Sequence, residues 1–469
     1  MSRGSFVFTP TALRSLAVDA EMLERQRHSR QTAASYRGYM LKKEARERAA
    51  LRPSAASSAV VVPPAVCQDP VVQNALYTGD LELLQQLFPK GARVNMVIEP
   101  QGGDMRWVAE GDGLWSLTYE QELTTPLHIT ASRGFSDCLR LLLQRGADVE
   151  LAPGGCTALH EACEDCRPEC TKLLLLHGAN ANAVSEEGLM PLHLCTQPQS
   201  LECAKYLLQY GAAINGRTVD EDDTPLHTAA RNGLPEHVDL YLRYGAQLDR
   251  PNDEGLTALN AACSQPQDAT QLERYHRVCQ ILIGAGASVQ TMDQDRHTPL
   301  HMACKNANPD VVDLLLANGA CVNDMDYGGE APMHNILKVV CYKTSHQPER
   351  VVRALLNHGS IRVWPGALPM VMKHCSKSPR TIEVLLNAYS HLKVNDNWVE
   401  AVPQESYQAH KDFYDSVFAL AQTTRSLQHL CRCKIRTFLD GRVHKVVPKL
   451  NLPTFLKNYL LLDYRGYVH

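Results

Sequence analysis

One four-residue pattern returns seven times along this 469-residue chain at near-constant spacing, and no other feature limits the possible folds so strongly. It reads Thr125-Pro126-Leu127-His128, Thr157-Ala158-Leu159-His160, Met190-Pro191-Leu192-His193, Thr224-Pro225-Leu226-His227, Thr257-Ala258-Leu259-Asn260, Thr298-Pro299-Leu300-His301 and Ala331-Pro332-Met333-His334. Successive copies begin 32, 33, 34, 33, 41 and 33 residues apart. A Leu-rich run ending in Gly-Ala follows the first six in phase, at Gly146, Gly178, Gly211, Gly245, Gly286 and Gly319. Length alone predicts about three globular domains. A sustained period instead builds a stack of small units, each burying its apolar face on its neighbours.

Each copy carries the marks of a helix pair. Pro at the first helical position loses no needed N–H and presets φ. Thr before it is placed to cap the exposed donors of the helix start. The Gly after the second helix suits the left-handed conformation that ends it. Leu127 and its counterparts, with runs such as Leu141-Leu142-Leu143, supply the stacked core. Period and signature together resemble the ankyrin repeat. The implied fold is all-α: a solenoid of helix pairs with β-hairpin loops.

The 41-residue step predicts an insertion near Gln265–Arg274, and a second insertion falls around Cys341–Glu349 before Val351–Gly359 closes the seventh repeat. Asn74–Asn95 reads as part of a degenerate first repeat. Residues 96–117, with Trp107 and Trp115, interrupt the pattern. Leu368–Cys375 and Pro379–Leu392 read as a terminal helix pair. The expected division is a basic segment and Pro/Ala/Ser linker over 1–66, a repeat domain over 67–393, a connector over 394–423 and a separate box over 424–469. Within the first, Leu13, Leu16, Met22 and Leu23 suggest a helix with a weak apolar stripe. Its Arg content resembles a transit peptide, but Asp19, Glu21, Glu24, Glu44 and Glu47 argue against one.

A net charge of −4 argues against binding nucleic acid through a basic field. No segment reaches the roughly 20 apolar residues of a membrane span. The start lacks the apolar core of a signal peptide. The chain is read as intracellular, in the cytoplasm with the nucleus also open, and its 16 cysteines as reduced thiols.

The C-terminal stretch departs from the repeat. Leu427, Leu430, Cys431 and Ile435 fall at helical spacing, a second helix starts at Pro453 with Leu456, Tyr459 and Leu460, and a short helix is expected around Val443–Val447. This stretch resembles a SOCS box, a small three-helix element. The resemblance implies that Leu427 and Cys431, supported by Leu430 and Ile435, dock into elongin C, helix in groove. It further implies that Leu450, Leu452 and Pro453 contact cullin-5, where Asn451 replaces the usual Pro. An array followed by this box resembles the ankyrin repeat and SOCS box family. Membership implies a non-catalytic substrate receptor that works with elongins B and C, cullin-5 and its RING subunit to promote ubiquitination and proteasomal degradation. The competing reading is an ankyrin scaffold whose last helices only cap the stack.

Other signals weigh less. His160, Cys163, Cys166 and Cys170 have spacings that suggest zinc. Yet Cys163, Cys263 and Cys304 share one repeat position and Cys138, Cys170 and Cys203 another, so a small apolar core site explains all six. The recurring His residues are expected to join hairpins to helices rather than to act as bases. No positioned nucleophile or phosphate-cradling Gly loop is found, and neither a cofactor nor a metal is expected. Asn182, Asn215 and Asn323 stand in turns as possible hydroxylation targets, with the unmodified turn residue preferred. The predicted hairpin tips are acidic, at Glu186, Glu187, Asp220, Glu221, Asp222, Asp253 and Asp293. Ordinary turn chemistry or an acidic ridge for a basic segment of the protein substrate accounts for them.

Overall fold

In five of the seven signatures the recurring His closes the first turn of the helix it opens. The imidazole Nδ1 accepts from the backbone N–H of the residue preceding the helix: Thr157 at 3.2 Å from His160, Thr224 at 3.2 Å from His227, Thr298 at 3.1 Å from His301. The same contact survives where Thr is absent, from Met190 to His193 at 3.3 Å and from Ala331 to His334 at 3.1 Å. An Nδ1 that accepts leaves the proton on Nε2. That Nε2 then donates to the carbonyl before the next repeat: His128 to Cys156 at 2.9 Å, His160 to Leu189 at 3.2 Å, His193 to Asp223 at 3.2 Å and His301 to Glu330 at 3.1 Å. The periodic His is therefore a cap on one helix and a strut to the next.

The computed structural model describes residues 66–67, 69–98, 124–392, 394, 396–420 and 424–463, with the backbone of 105–110 and 114–119. The basic helix expected near the start, and nearly all of the linker after it, lie outside the described residues. The described chain falls into two units, 66–247 and 248–463.

In the first unit, β1 (Val66–Cys67) pairs in parallel with β2 (Val97–Ile98), flanking α1 (Pro70–Thr78) and α2 (Leu81–Leu87). The interruption expected over residues 96–117 carries an antiparallel pair, β3 (Met105–Glu110) with β4 (Leu114–Tyr119), whose second strand runs two residues past it. Helix pairs follow: α3 (Pro126–Arg133) with α4 (Ser136–Gln144), α5 (Ala158–Glu164) with α6 (Pro168–Leu176), and α8 (Pro225–Arg231) with α9 (Pro235–Arg243). The repeat between them has only a 3₁₀ turn, Pro191–Leu194, before α7 (Leu201–Gln209). Pro198 explains the loss, because it forces Gln197 into extended backbone (φ −118°, ψ 152°) and stops any longer helix.

The second unit holds α10 (Ala258–Ser264), α11 (Leu272–Gly284), α12 (Pro299–Asn306), α13 (Pro309–Ala317), α14 (Pro332–Val339) and α15 (Pro348–Asn357). It continues with α16 (Leu368–His374), α17 (Pro379–Leu386), α18 (Asp396–Ala401), α19 (Gln404–Ala409) and α20 (Lys411–Ala419), then the box helices α21 (Leu427–Leu439), α22 (Val443–Val446) and α23 (Thr454–Leu460). The expected insertion at 265–274 is a non-helical segment up to α11, held by its buried Gln267. The Gln267 Oε1 accepts from Asn308 Nδ2 at 2.8 Å and its carbonyl from Lys343 Nζ at 2.7 Å.

Turn asparagines bind neighbouring repeats together. Asn182 donates to the Gly211 carbonyl at 3.0 Å and accepts from Ala213 N–H at 2.7 Å. Asn215 does the same to Gly245 and Gln247, and Asn323 to Gly359 and Ile361. Each carbonyl engaged belongs to a helix-ending glycine; Gly211 has φ 86° and Gly245 φ 84°. Beneath them the core is Leu, Ala and Cys, with Cys138, Cys163, Cys170, Cys203, Cys263 and Cys304 all buried.

Candidate functional site: protein-docking surfaces

Helix α21 separates two chemistries around its circumference. Its start is capped by Ser426, whose hydroxyl accepts from His429 N–H at 3.2 Å. At 100° per residue, His429, Arg432, Cys433, Arg436 and Leu439 share one side. Of these, His429, Arg432, Cys433 and Leu439 are buried, Arg432 to 3% exposure.

A buried guanidinium, Arg432, and a half-buried one, Arg436, look expensive until their partners are counted. Arg432 donates through Nη2 to the carbonyl and side-chain oxygen of Asn387, at 3.2 and 3.1 Å, and lies 4.2 Å from the Tyr459 ring centroid. Arg436 reaches Asn357 Oδ1 at 2.7 Å and the carbonyls of Leu460 at 2.6 Å and Leu356 at 3.2 Å. Arg425 donates to the Leu386 carbonyl at 3.1 Å. These acceptors stand at or just past the C-terminal ends of α15, α17 and α23, where helices leave carbonyls unbonded and carry partial negative charge. Burial lowers the Arg436 guanidinium to about 10, with Arg432 beside it adding to the effect. His429 donates to the Tyr389 carbonyl at 2.8 Å and accepts from Arg432 at 2.8 Å, so it is neutral; burial takes it down to about 4.

The opposite side of α21 faces solvent. Leu427 is 76% exposed, Cys431 is exposed, Ile435 is 40% exposed and Phe438 80%. Leu430 departs from this set: it is half-buried, lining a cavity of about 320 Å³ with Leu392 and Leu420. The box has a small core of its own, from Leu439, Val443, Val447 and Leu460, against which Leu450 and Leu452 pack. Asn451 and Pro453 between and beyond them are exposed. Of the three residues expected to meet a cullin, two are therefore partly engaged in holding the box together.

The acidic tips carry less free charge than the sequence suggests. In the first unit, Asp222 pairs with Arg217, while Glu221 and Asp223 pair with Arg231 at 2.7 and 2.9 Å. Glu186, Glu187 and Asp220 are exposed. In the second unit, His297 lies between Asp293 (3.0 Å) and Asp326 (3.5 Å), tying two successive tips. Asp293, Asp295 and His297 come within 4.8 Å of one another, but Asp293 is already accepting from the N–H groups of Asp295 and His297. Asp253 is half-buried, its carbonyl accepting from Gln294.

The residues with zinc-like spacing point to separate partners. His160 is engaged at both nitrogens. Cys163 faces Thr171, Cys166 the Glu164 carbonyl and Cys170 the Thr130 carbonyl.

Sequence reasoning missed Phe438 and Phe455, the latter 66% exposed, and the sockets at Asn357, Asn387 and Tyr459. Phe438 was findable, since helical geometry puts it between Leu427 and Cys431 in angle. The sockets depend on distant helix ends that no local pattern shows.

Comparison with known proteins bears on both surfaces. Models of ankyrin repeats (3 copies) match overlapping stretches from residue 71 to 364, and the SOCS box model matches 423–461. Ankyrin repeat and SOCS box protein 16 of Mus musculus is 40% identical over 466 residues, 99% of this chain and 99% of that one. Protein 18 of the same series from Homo sapiens is 44% identical over 411 residues, 86% of this chain and 88% of the relative. Protein 10 from Homo sapiens is 49% identical over 371 residues, 78% and 79% of the two chains.

Proposed function

Because the chain belongs to the ankyrin repeat and SOCS box family, we propose that it is the substrate receptor of a cullin-5 RING ubiquitin ligase, its repeats holding a protein substrate and its box holding elongins B and C. One observation carries this reading: the same helix, α21, fixes itself to the repeat helices by one side and leaves Leu427, Cys431 and Ile435 open on the other. A helix needed only as a cap has no reason to present apolar anchors to water, where a contiguous patch marks a binding surface. A leucine, a compact thiol and an isoleucine at four-residue intervals suit a helix-in-groove contact. Leu450, Leu452 and Pro453 serve the cullin, with the exposed Asn451–Pro453 edge as the part that touches it.

The chain's own work is positioning. Bond formation on the substrate belongs to the RING subunit and the ubiquitin-loaded enzyme it recruits. In the first unit, exposed Glu186, Glu187 and Asp220 offer a basic substrate segment a first contact; in the second, taken by itself, Asp253 and Asp293 offer less because they are partly enclosed.

The test is co-purification of elongins B and C with the full chain and with a variant carrying Leu427→Asp and Cys431→Asp. Retention by the intact chain and loss by the variant is expected. If the intact chain also fails to bring down elongins, the scaffold reading replaces this one.

A further inference from the structure

Beyond the residues of the box signature, α21 carries one more large apolar group that the fold does not use. Phe438 is the most exposed phenylalanine among the described residues and packs into neither the box core nor the repeat helices. Its angular position is fixed by the helix: taking Leu427 as zero, Cys431 stands near 40°, Ile435 near 80° and Phe438 near 20°. The buried side, from Leu439 through Arg436 to Cys433, is centred roughly opposite. The side chain therefore extends the stripe of Leu427, Cys431 and Ile435 by one turn.

We propose that Phe438 is a fourth anchor for elongin C and sets how long a groove the partner must offer. This rests on the elongin reading of the box. Continuity argues for that occupant over another: Phe438 lies on the same strip of the same helix, three residues past Ile435. From Leu427 to Phe438 the anchors span about 16 Å, so the groove must accept about three helical turns. The helix ends immediately afterwards, at Asp440 with φ 51°, so Phe438 sits on the last rigid turn. Aromatic side chains at such positions dominate binding energy when a partner encloses them. With Leu427, Cys431 and Ile435, Phe438 forms one contiguous exposed apolar stripe, and it is such a patch, not a single exposed residue, that marks a binding surface.

The full chain is titrated with purified elongin B/C by calorimetry, as intact protein, Phe438→Ala, Phe438→Leu and the Leu427→Asp, Cys431→Asp double variant. Loss of affinity of about tenfold or more for Phe438→Ala, partial recovery for Phe438→Leu and unchanged circular dichroism support the anchor. Affinity within twofold for Phe438→Ala, while the double variant fails to bind, overturns the anchor and leaves the elongin reading standing. Undiminished binding by the double variant overturns both. Elongin affinity unchanged with weaker cullin-5 recruitment, or a dimer of the intact chain that Phe438→Ala dissociates, assigns Phe438 to another partner and overturns the proposal.

Discussion

Arg436 Nη1 lies 2.7 Å from Asn357 Oδ1, and through that contact a helix of the C-terminal box is fastened to the last residue of α15. The same guanidinium reaches the Leu460 and Leu356 carbonyls. Arg436→Ala leaves three acceptors without their charged donor, and hydrogen bonds to charged groups are worth about 1.5–3 kcal/mol each before relaxation and water intervene. A net loss of about 2–4 kcal/mol is expected in denaturant unfolding. Arg436→Lys should recover little, because one ammonium cannot reproduce a planar fork. Elongin binding below the unfolding transition should persist, since the apolar stripe is on the other side; simultaneous loss of both would show that the two sides are not independent.

Asn215 receives the Gln247 N–H at 2.9 Å and donates to the Gly245 carbonyl at 3.3 Å. Asn215→Ala should cost about 1–2 kcal/mol for the two bonds. Asn215→Asp keeps the acceptor and should cost less. Hydrogen exchange at Gln247 is the direct check, with faster exchange expected in the Ala variant and near-native exchange in the Asp variant.

Why the repeats were legible and the box only half so follows from where each fact is encoded. The Thr-Pro-Leu-His pattern recurs in seven copies, three of them exact, so one departure, such as Met190 in place of Thr, costs the pattern nothing. The helices at 427, 443 and 454 were also readable from spacing. Leu430, at i+3 from Leu427, falls about 60° to one side, and its half-burial beside Leu392 and Leu420 depends on chain segments that local spacing does not show. The burial of Arg432 and the anchoring of Arg436 have no local signal, because their partners are helix ends 45 and 79 residues away. The strands at 105–110 and 114–119 carry their own signal, aromatic and β-branched residues around Gly111-Asp112-Gly113, which stands outside the repeat pattern.

Acid should weaken the fold through its capping histidines. Burial takes His193 down to about 4 against an ordinary 6.5, and lowers His128, His160 and His301 as well. The unfolded chain then binds protons near 6.5 that the folded chain takes up only at lower pH, near 4 in the case of His193. Stability is complete above about 7 and falls as pH drops through that interval. Asn260 shows that an amide can occupy the position, accepting from Thr257 at 2.8 Å. His193→Asn should therefore flatten the decline between pH 7 and 5, measured by denaturant midpoint at each pH; an unchanged slope would remove His193 from the account.

Alkali acts at one site with the opposite sign. The Asp293 carboxylate, helped by Asp326, raises His297 to about 9. A raised folded value means the stabilisation is complete below about 6.5 and lost as pH rises through 9. Asp326 is shifted the complementary way: burial works to raise it, but His297 and the Glu330 N–H outweigh that and lower it. His297→Gln should reduce stability at pH 7 and show a smaller further loss between pH 7 and 9.5 than the intact chain.

Asn451 offers a test of the cullin edge by gain rather than loss. It is exposed, and the preceding Leu450 already has φ −66° and ψ 143°. That is the extended conformation a residue before proline must adopt, so Asn451→Pro asks little of the backbone at 450. Where backbone geometry is compatible, such a change raises stability by about 0.4–1 kcal/mol through the unfolded chain. Leu450 and Leu452 remain packed against the box core and keep the loop in place. Asn451→Pro should strengthen binding of cullin-5 to the elongin-loaded chain while leaving elongin affinity as it was. The check is a titration with the cullin-5 N-terminal domain. Weaker cullin binding in a variant that folds normally would mean that Asn451 itself makes the contact, and the edge would be reassigned around its amide.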